Sequence, residues 1–272
     1  MHCPACYRTQ KSIATGPALE PQYFCTAFMN LNIFKDYSLQ SRATADLIVD
    51  YISAKPQSLV CLASGHTPRG VFEFLVDDVM AKRVDIGKCI FVSLDEWLGI
   101  PANQKGSCRA MVDDDFFTPL RIPDKQIAFF DGMANDPAAE ADRINKLIKD
   151  HGGLDIMLVG VGTNGHIAMN EPGTSFDIMA HVSTLAEETK SVGQKYFTEN
   201  TVLEKGITLG LGQFRQTKLP ILMANGTKKA PIMEKIMGSN ATESLPGSIV
   251  HIMDHAWVML DEACYTKARH LS

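Results

Sequence analysis

The sequence predicts an α/β fold in which a mainly parallel sheet carries helices on both faces. Three observations predict it. Short runs that are apolar at nearly every position recur along the 272 residues, the pattern of strands buried on both sides. Stretches with apolar residues at helical spacing stand between those runs, and a parallel sheet needs such crossover helices. Polar turns rich in glycine close several runs, and in such folds ligands sit beyond the carboxyl ends of the strands.

The first helix spans 36–53, where Leu39, Ala43, Leu47, Ile48, Tyr51 and Ile52 recur at helical spacing. Residues 58–63 (SLVCLA) form the first buried strand, and a helix follows over 68–80 with Pro68 in its first turn. A second strand covers 89–94 (CIFVSL), and a helix over 107–117 has Ser107 as its cap. Residues 126–130 are a third strand. An amphipathic helix over 136–150 is ended by Gly152 and Gly153 and leads to a fourth strand at 154–160 (LDIMLVG). Beyond it the pattern loosens. Apolar segments at 181–185, 206–210, 219–223, 249–252 and 257–260 continue the alternation, with a helix at 227–237. The whole is a Rossmann-like, open three-layer arrangement. No repeat or linker interrupts it, so residues 29–272 read as a single domain. Residues 1–28 show neither period and read as a loose tail.

Composition narrows the function. The chain is 45% hydrophobic and 21% charged, with net charge −5, so no basic field draws nucleic acid or anionic membrane. No apolar run is long enough to cross a bilayer, and the first residues lack the apolar core of a secretory signal. Seven cysteines, at 3, 6, 25, 61, 89, 108 and 264, are odd in number, and three lie in or beside aliphatic runs. That suits free thiols in a reducing cytoplasm. Cys3-Pro-Ala-Cys6 is half a zinc site, but no second pair follows, so no metal is expected.

Three strand ends carry polar groups suited to chemistry. In Ser64-Gly65-His66-Thr67-Pro68, small hydroxyls and free backbone N–H groups precede a helix; the segment is either an anion site or an ordinary cap by Thr67. Asp95 and Glu96 close the second strand. A carboxylate shielded from water can serve as a general base, and an acidic pair can also cap the next loop. The third end, VGVGTNGHIAMNEPGTS (159–175), holds His166 with Glu171 five residues on. An imidazole that gains and loses a proton needs a partner to set its tautomer, and a carboxylate can do this. A core histidine with a capping glutamate is the alternative. Gly160, Gly162 and Gly165 match the spacing of a dinucleotide loop, but they follow the fourth strand and no clean helix succeeds them, so no nucleotide cofactor is expected.

Together these ends resemble the glucosamine-6-phosphate deaminase/isomerase family, within the superfamily that includes 6-phosphogluconolactonase. The matching stretches are LASGHTP (62–68), LDEWLGIP (94–101), GGLDIMLVGVGTNGHIAMNEPGTSF (152–176), GITLGLG (206–212) and NGTKKA (225–230), and the likeness runs from about 29 to 260. A lactonase would instead show a GHTASLFP-like ending and an arginine after the Asp-Glu pair. The resemblance implies an enzyme that converts a hexosamine 6-phosphate to the ketohexose 6-phosphate plus ammonia, with no cofactor. A lactonase-type hydrolase and a non-catalytic sugar-phosphate sensor are the alternatives. The resemblance makes Asp95 the base that moves a proton between C2 and C1. It makes His166 the acid/base that opens the sugar ring and Glu171 the carboxylate that orients it. Ser64, Gly65, His66 and Thr67 become the phosphate loop and Lys229 a phosphate-binding lysine. Lys195 falls where many members have a second phosphate-binding arginine.

Departures from the pattern sharpen these expectations. Asn164 stands where many members have aspartate; it can still hydrogen-bond the histidine but adds no charge. His181 and Ser183 stand where the regulated hexameric members have basic residues, so allosteric activation is not expected, although a homo-oligomer is compatible with the chain. Asp95-Glu96-Trp97 and 106–110 (GSCRA) look closer to the galactosamine-6-phosphate isomerase branch.

Overall fold

The apolar runs pair side by side because each strand has two faces to bury and the pleat sends successive side chains to opposite sides. In the structure, a computed structural model that describes residues 29–265, this division is visible residue by residue. In β2 (Leu59–Leu62), Leu59 and Cys61 join one hydrophobic cluster, whereas Val60 and Leu62 join the other. Around it the chain runs β1 (Asn30–Phe34), α1 (Tyr37–Ala54), β2, α2 (Arg69–Met80), β3 (Ile90–Ser93), β4 (Asp95–Trp97), α3 (Cys108–Val112), α4 (Thr118–Leu120), β5 (Ile127–Ala128) and α5 (Pro137–Asp150). It continues through β6 (Ile156–Gly160), β7 (His181–Thr184), α6 (Glu187–Gly193), β8 (Lys205–Thr208), α7 (Leu211–Gln216), β9 (Leu219–Ala224), α8 (Ala230–Met237) and β10 (Trp257–Asp261).

Seven strands form one parallel sheet in the order β1-β10-β9-β6-β2-β3-β5. Helices α1 and α2 cover one face with Ile48, Ile52, Phe72 and Leu75. Helices α5, α7 and α8 cover the other with Ile144, Phe214 and Met233. Asp36 caps α1 by accepting the Leu39 N–H at 2.9 Å, and Asp136 caps α5 through the N–H groups of Ala138 and Ala139. Ser107 caps α3 by accepting the Ala110 N–H at 2.9 Å, and the helix continues through a π-helical turn at Asp113–Phe117 into α4.

The α/β class stands, with local corrections. β1 was not foreseen: NLNIF has no apolar run, and as an edge strand it is specified by backbone pairing with β10. Residues 249–252 are not a strand. They lie in a 3₁₀ helix, Pro246–Ile252, started by Pro246, and a short apolar run cannot by itself separate the two. The run at 89–94 ends at Ser93, and the chain then enters a second, antiparallel sheet of order β4-β8-β7. Helices α6 and α7 were also not anticipated. The expected tail at 1–28, with Cys3, Cys6 and Cys25, lies outside the described residues. Among the described residues no helix is long and apolar enough to cross a membrane.

Candidate functional site

The turn between β2 and α2 needs a left-handed residue, and Gly65 supplies it with φ +93°; a Cβ there would sit 2.9 Å from Tyr196 Oη. Tyr37 braces the turn from below. Its hydroxyl accepts the Gly70 N–H at 2.7 Å and lies 3.2 and 3.0 Å from the His66 and Thr67 carbonyls, to one of which it donates. The His66 ring stacks on Tyr196 with centroids 5.4 Å apart. Pro68 occupies the cap position of α2 with no side-chain hydrogen bond, so Thr67 does not cap this helix. Tyr37 takes the Gly70 N–H, and the rest of the first turn, at the positive end of a 12-residue helix, can face an anion.

Strand β4 separates two neighbouring carboxylates. Its two-residue period sends Asp95 and Trp97 to one side and Glu96 to the other. Glu96 accepts the N–H groups of Trp97, Cys108 and Arg109, each at 2.9 Å, and so closes the start of α3. Burial pushes its carboxyl up to about 7, against the pull of those three donors. Asp95 is 9% exposed, and burial pushes it up to about 6, opposed by a hydrogen bond from the Cys108 thiol. The two residues differ in place: Glu96 caps the start of α3, and Asp95 lines a cavity.

His166 follows β6 in a loop closed by the Gly162 N–H donating to its carbonyl at 2.8 Å. Asn164 links this loop to Glu171. Its Oδ1 accepts the His166 N–H at 3.0 Å, and its Nδ2 donates to Glu171 Oε2 at 2.9 Å. Glu171 Oε1 accepts the Ala186 N–H at 3.1 Å. Its approach to His166 Nδ1 is 3.7 Å, too long for a hydrogen bond; Thr189 Oγ1 lies closer, at 3.2 Å. Burial lowers the His166 pKa, Glu171 and Glu188 oppose this, and Lys229 adds to it. The balance favours the neutral imidazole.

The ring lies flat against Gly162, where a Cβ would fall 2.2–2.4 Å from three of its atoms. Gly162→Ala is expected to displace the imidazole without unfolding the chain. A displacement of this size costs turnover about 10²-fold, and steady-state rates beside a melting curve check it.

One cavity of about 320 Å³ gathers these groups. Ser64, His66 and Thr67 line it, as do Asp95, His166, Lys195 and Lys229. Gly65 shapes the turn, while Asn164 and Glu171 stand behind the histidine and do not line the cavity. Burial lowers the Lys229 pKa, and the nearby charge of Lys195 lowers it further. A bound anion would relieve both effects. A larger hollow of about 620 Å³, beyond Phe197, is lined by 99–100, 104–105 and 197–202 and holds no histidine or buried carboxylate. Sequence reasoning missed Cys108, Glu188, Thr189 and Tyr196 as lining residues. Glu188 and Thr189 belong to the unforeseen α6, and no local signal marks them.

Comparison with known proteins agrees with this geometry. Residues 39–259 match the family model described as glucosamine-6-phosphate isomerases/6-phosphogluconolactonase. A glucosamine-6-phosphate deaminase of Geobacillus sp. (strain WCH70) is 34% identical over 228 residues, covering 84% of this chain and 91% of that protein. Glucosamine-6-phosphate deaminase 1 of Bacillus subtilis is 32% identical over 226 residues, covering 83% and 93%. The solved structure of a monomeric glucosamine-6-phosphate deaminase superposes with a TM-score of 0.84 at 30% identity, over 88% of this chain and 99% of that one. A 6-phosphogluconolactonase from Trypanosoma brucei, with a TM-score of 0.70 at 20% identity over 90% and 99%, shares the fold. The chain belongs to the glucosamine-6-phosphate isomerase/6-phosphogluconolactonase family.

Proposed function

We propose that the protein is an aminosugar-6-phosphate deaminase/isomerase, which converts a hexosamine 6-phosphate and water to the ketohexose 6-phosphate and ammonia. The observation that carries this is the meeting of a buried carboxylate, a neutral imidazole and two lysines around one cavity, beside the start of α2. The phosphate binds the α2 turn with Lys229 and Lys195, and its binding energy places the reacting carbons. His166 takes the anomeric hydroxyl proton and returns it to the ring oxygen, so the ring opens with no net change in its protonation. Asp95 lifts the C2 proton of the open-chain aldose and delivers it to C1, while the C1 oxygen takes a proton from the C2 ammonium through water. The imine left at C2 adds water and releases ammonia. Every proton in this sequence moves through Asp95, His166 or water.

The lactonase alternative shares the family model and the fold, but the 6-phosphogluconolactonase structures compared are at most 20% identical, against 34% for a deaminase. The deciding experiment measures ammonia released from glucosamine 6-phosphate and, separately, from galactosamine 6-phosphate. Ammonia from either supports the proposal. Silence on both, with hydrolysis of 6-phosphogluconolactone, overturns it.

Trp97 bears on which epimer is preferred. It lines the cavity on the Asp95 side of β4, and its buried indole N–H has no hydrogen-bond partner among the described residues. A substrate hydroxyl that reaches this donor is favoured, because a buried donor left unpaired costs about 1–3 kcal/mol. Trp97→Phe is expected to lower kcat/KM for the preferred epimer roughly tenfold and the other little, so the ratio of the two rates checks it. The four described cysteines are free and buried, which supports a cytoplasmic location.

A further inference from the structure

The groups that hold His166 do not divide their work as the spacing of His166 and Glu171 suggests. Both oxygens of Glu171 are committed, one to the Asn164 side-chain N–H and the other to the Ala186 N–H. Ala186 is the residue from which α6 starts, so Glu171 ties the histidine loop to the first turn of that helix. That tie places Thr189, three residues on and 6% exposed, beside the imidazole. A threonine hydroxyl in a helix ordinarily returns to a carbonyl of the preceding turn. Among the described residues, the hydrogen bond of this one is to His166 Nδ1, at 3.2 Å. A face of the ring rests on Gly162, so hydroxyl and glycine together restrict the imidazole.

We propose that Thr189 is the positioning residue that holds His166 in one tautomer, accepting from Nδ1–H while the Glu171 carboxylate at one remove draws the proton to that nitrogen. Nδ1–H donates to Thr189 Oγ1, and Nε2 keeps the lone pair that takes the anomeric proton. The Glu171 carboxylate, 3.7 Å from Nδ1, favours the proton on that nitrogen without bonding to it. Glu188 and Lys229 are the other charged groups that act on the ring, with opposite signs. The kinetic half of this inference rests on the deaminase reading of the site; the tautomer itself does not.

The test uses Thr189→Val, which removes the hydroxyl at nearly constant shape, and Thr189→Ser, which restores it. Nitrogen-15 NMR of the wild type is expected to find His166 protonated on Nδ1 at pH 7.5. In Thr189→Val that preference is lost, kcat falls roughly 10–100-fold and KM stays close to the wild type. Thr189→Ser keeps the tautomer and most of kcat. An Nε2-protonated His166 in the wild type would overturn the proposal. So would a Thr189→Val protein that retains both tautomer and kcat. A wild type that releases no ammonia would sink the functional reading, and the NMR result would still decide this one.

Discussion

Asp95→Asn is expected to abolish most turnover while making the protein more stable at neutral pH. The loss follows from the chemistry: the amide cannot accept the C2 proton, and removal of a general base costs roughly 10²–10⁴-fold. The gain follows from burial. The carboxyl titrates near 6 instead of 3.8 because the ionised form is poorly solvated inside the fold. Between those pH values the folded chain holds a proton that the unfolded chain has released, so stability falls as pH rises through the window. The deficit above pH 6 is about 3 kcal/mol, and the variant does not carry it. Melting temperatures of wild type and variant should coincide near pH 4 and separate by several degrees at pH 7, with the variant higher. Glu96, held near 7 mainly by burial, contributes most of its slope to both proteins, and loss of the Asp95 charge eases its ionisation in the variant, which adds to the gain. A variant that melts lower at pH 7 than at pH 4 relative to the wild type would contradict the burial argument.

That opposition between stability and activity also explains how much of the site could be read in advance. Strands β2, β3 and β6 were legible because both of their faces are buried, which forces an apolar residue at almost every position. The polar residues that follow such runs stand out against them, which made Ser64, His66, Thr67, Asp95 and His166 candidates, and all five line the cavity. The division of labour between Asp95 and Glu96 was not legible. Their separation depends on β4 pairing with β8, more than a hundred residues away, and on where the N–H groups of α3 come to lie. Thr189 was hidden for a related reason. It lies in EETKSVG, a short polar helix with no apolar stripe, and its value comes from a contact across 23 residues of chain. Edge strand β1 was missed because its stability lies in backbone pairing, which no side-chain pattern reports.

His166→Gln is expected to slow the enzyme by roughly 10²–10³-fold and, more tellingly, to change which step limits it. On the proposed mechanism Asp95 breaks the C2–H bond after the ring has opened, so substrate deuterated at C2 should react more slowly in the wild type. Without the imidazole, the ring must open with only water to carry the proton from the anomeric hydroxyl to the ring oxygen. That step then limits turnover, and the C2 isotope effect should shrink toward one. Asp95→Asn should do the reverse and leave the full isotope effect on whatever turnover remains. The pH profiles separate the two groups as well. Burial holds His166 below its ordinary value, which favours the neutral imidazole where Asp95 is ionised. The acid limb of kcat in His166→Gln should therefore report ring opening by solvent and lose the inflection near 6 that belongs to Asp95. An undiminished isotope effect in His166→Gln would place the imidazole in the proton transfer at carbon and reverse the assignment of the two residues.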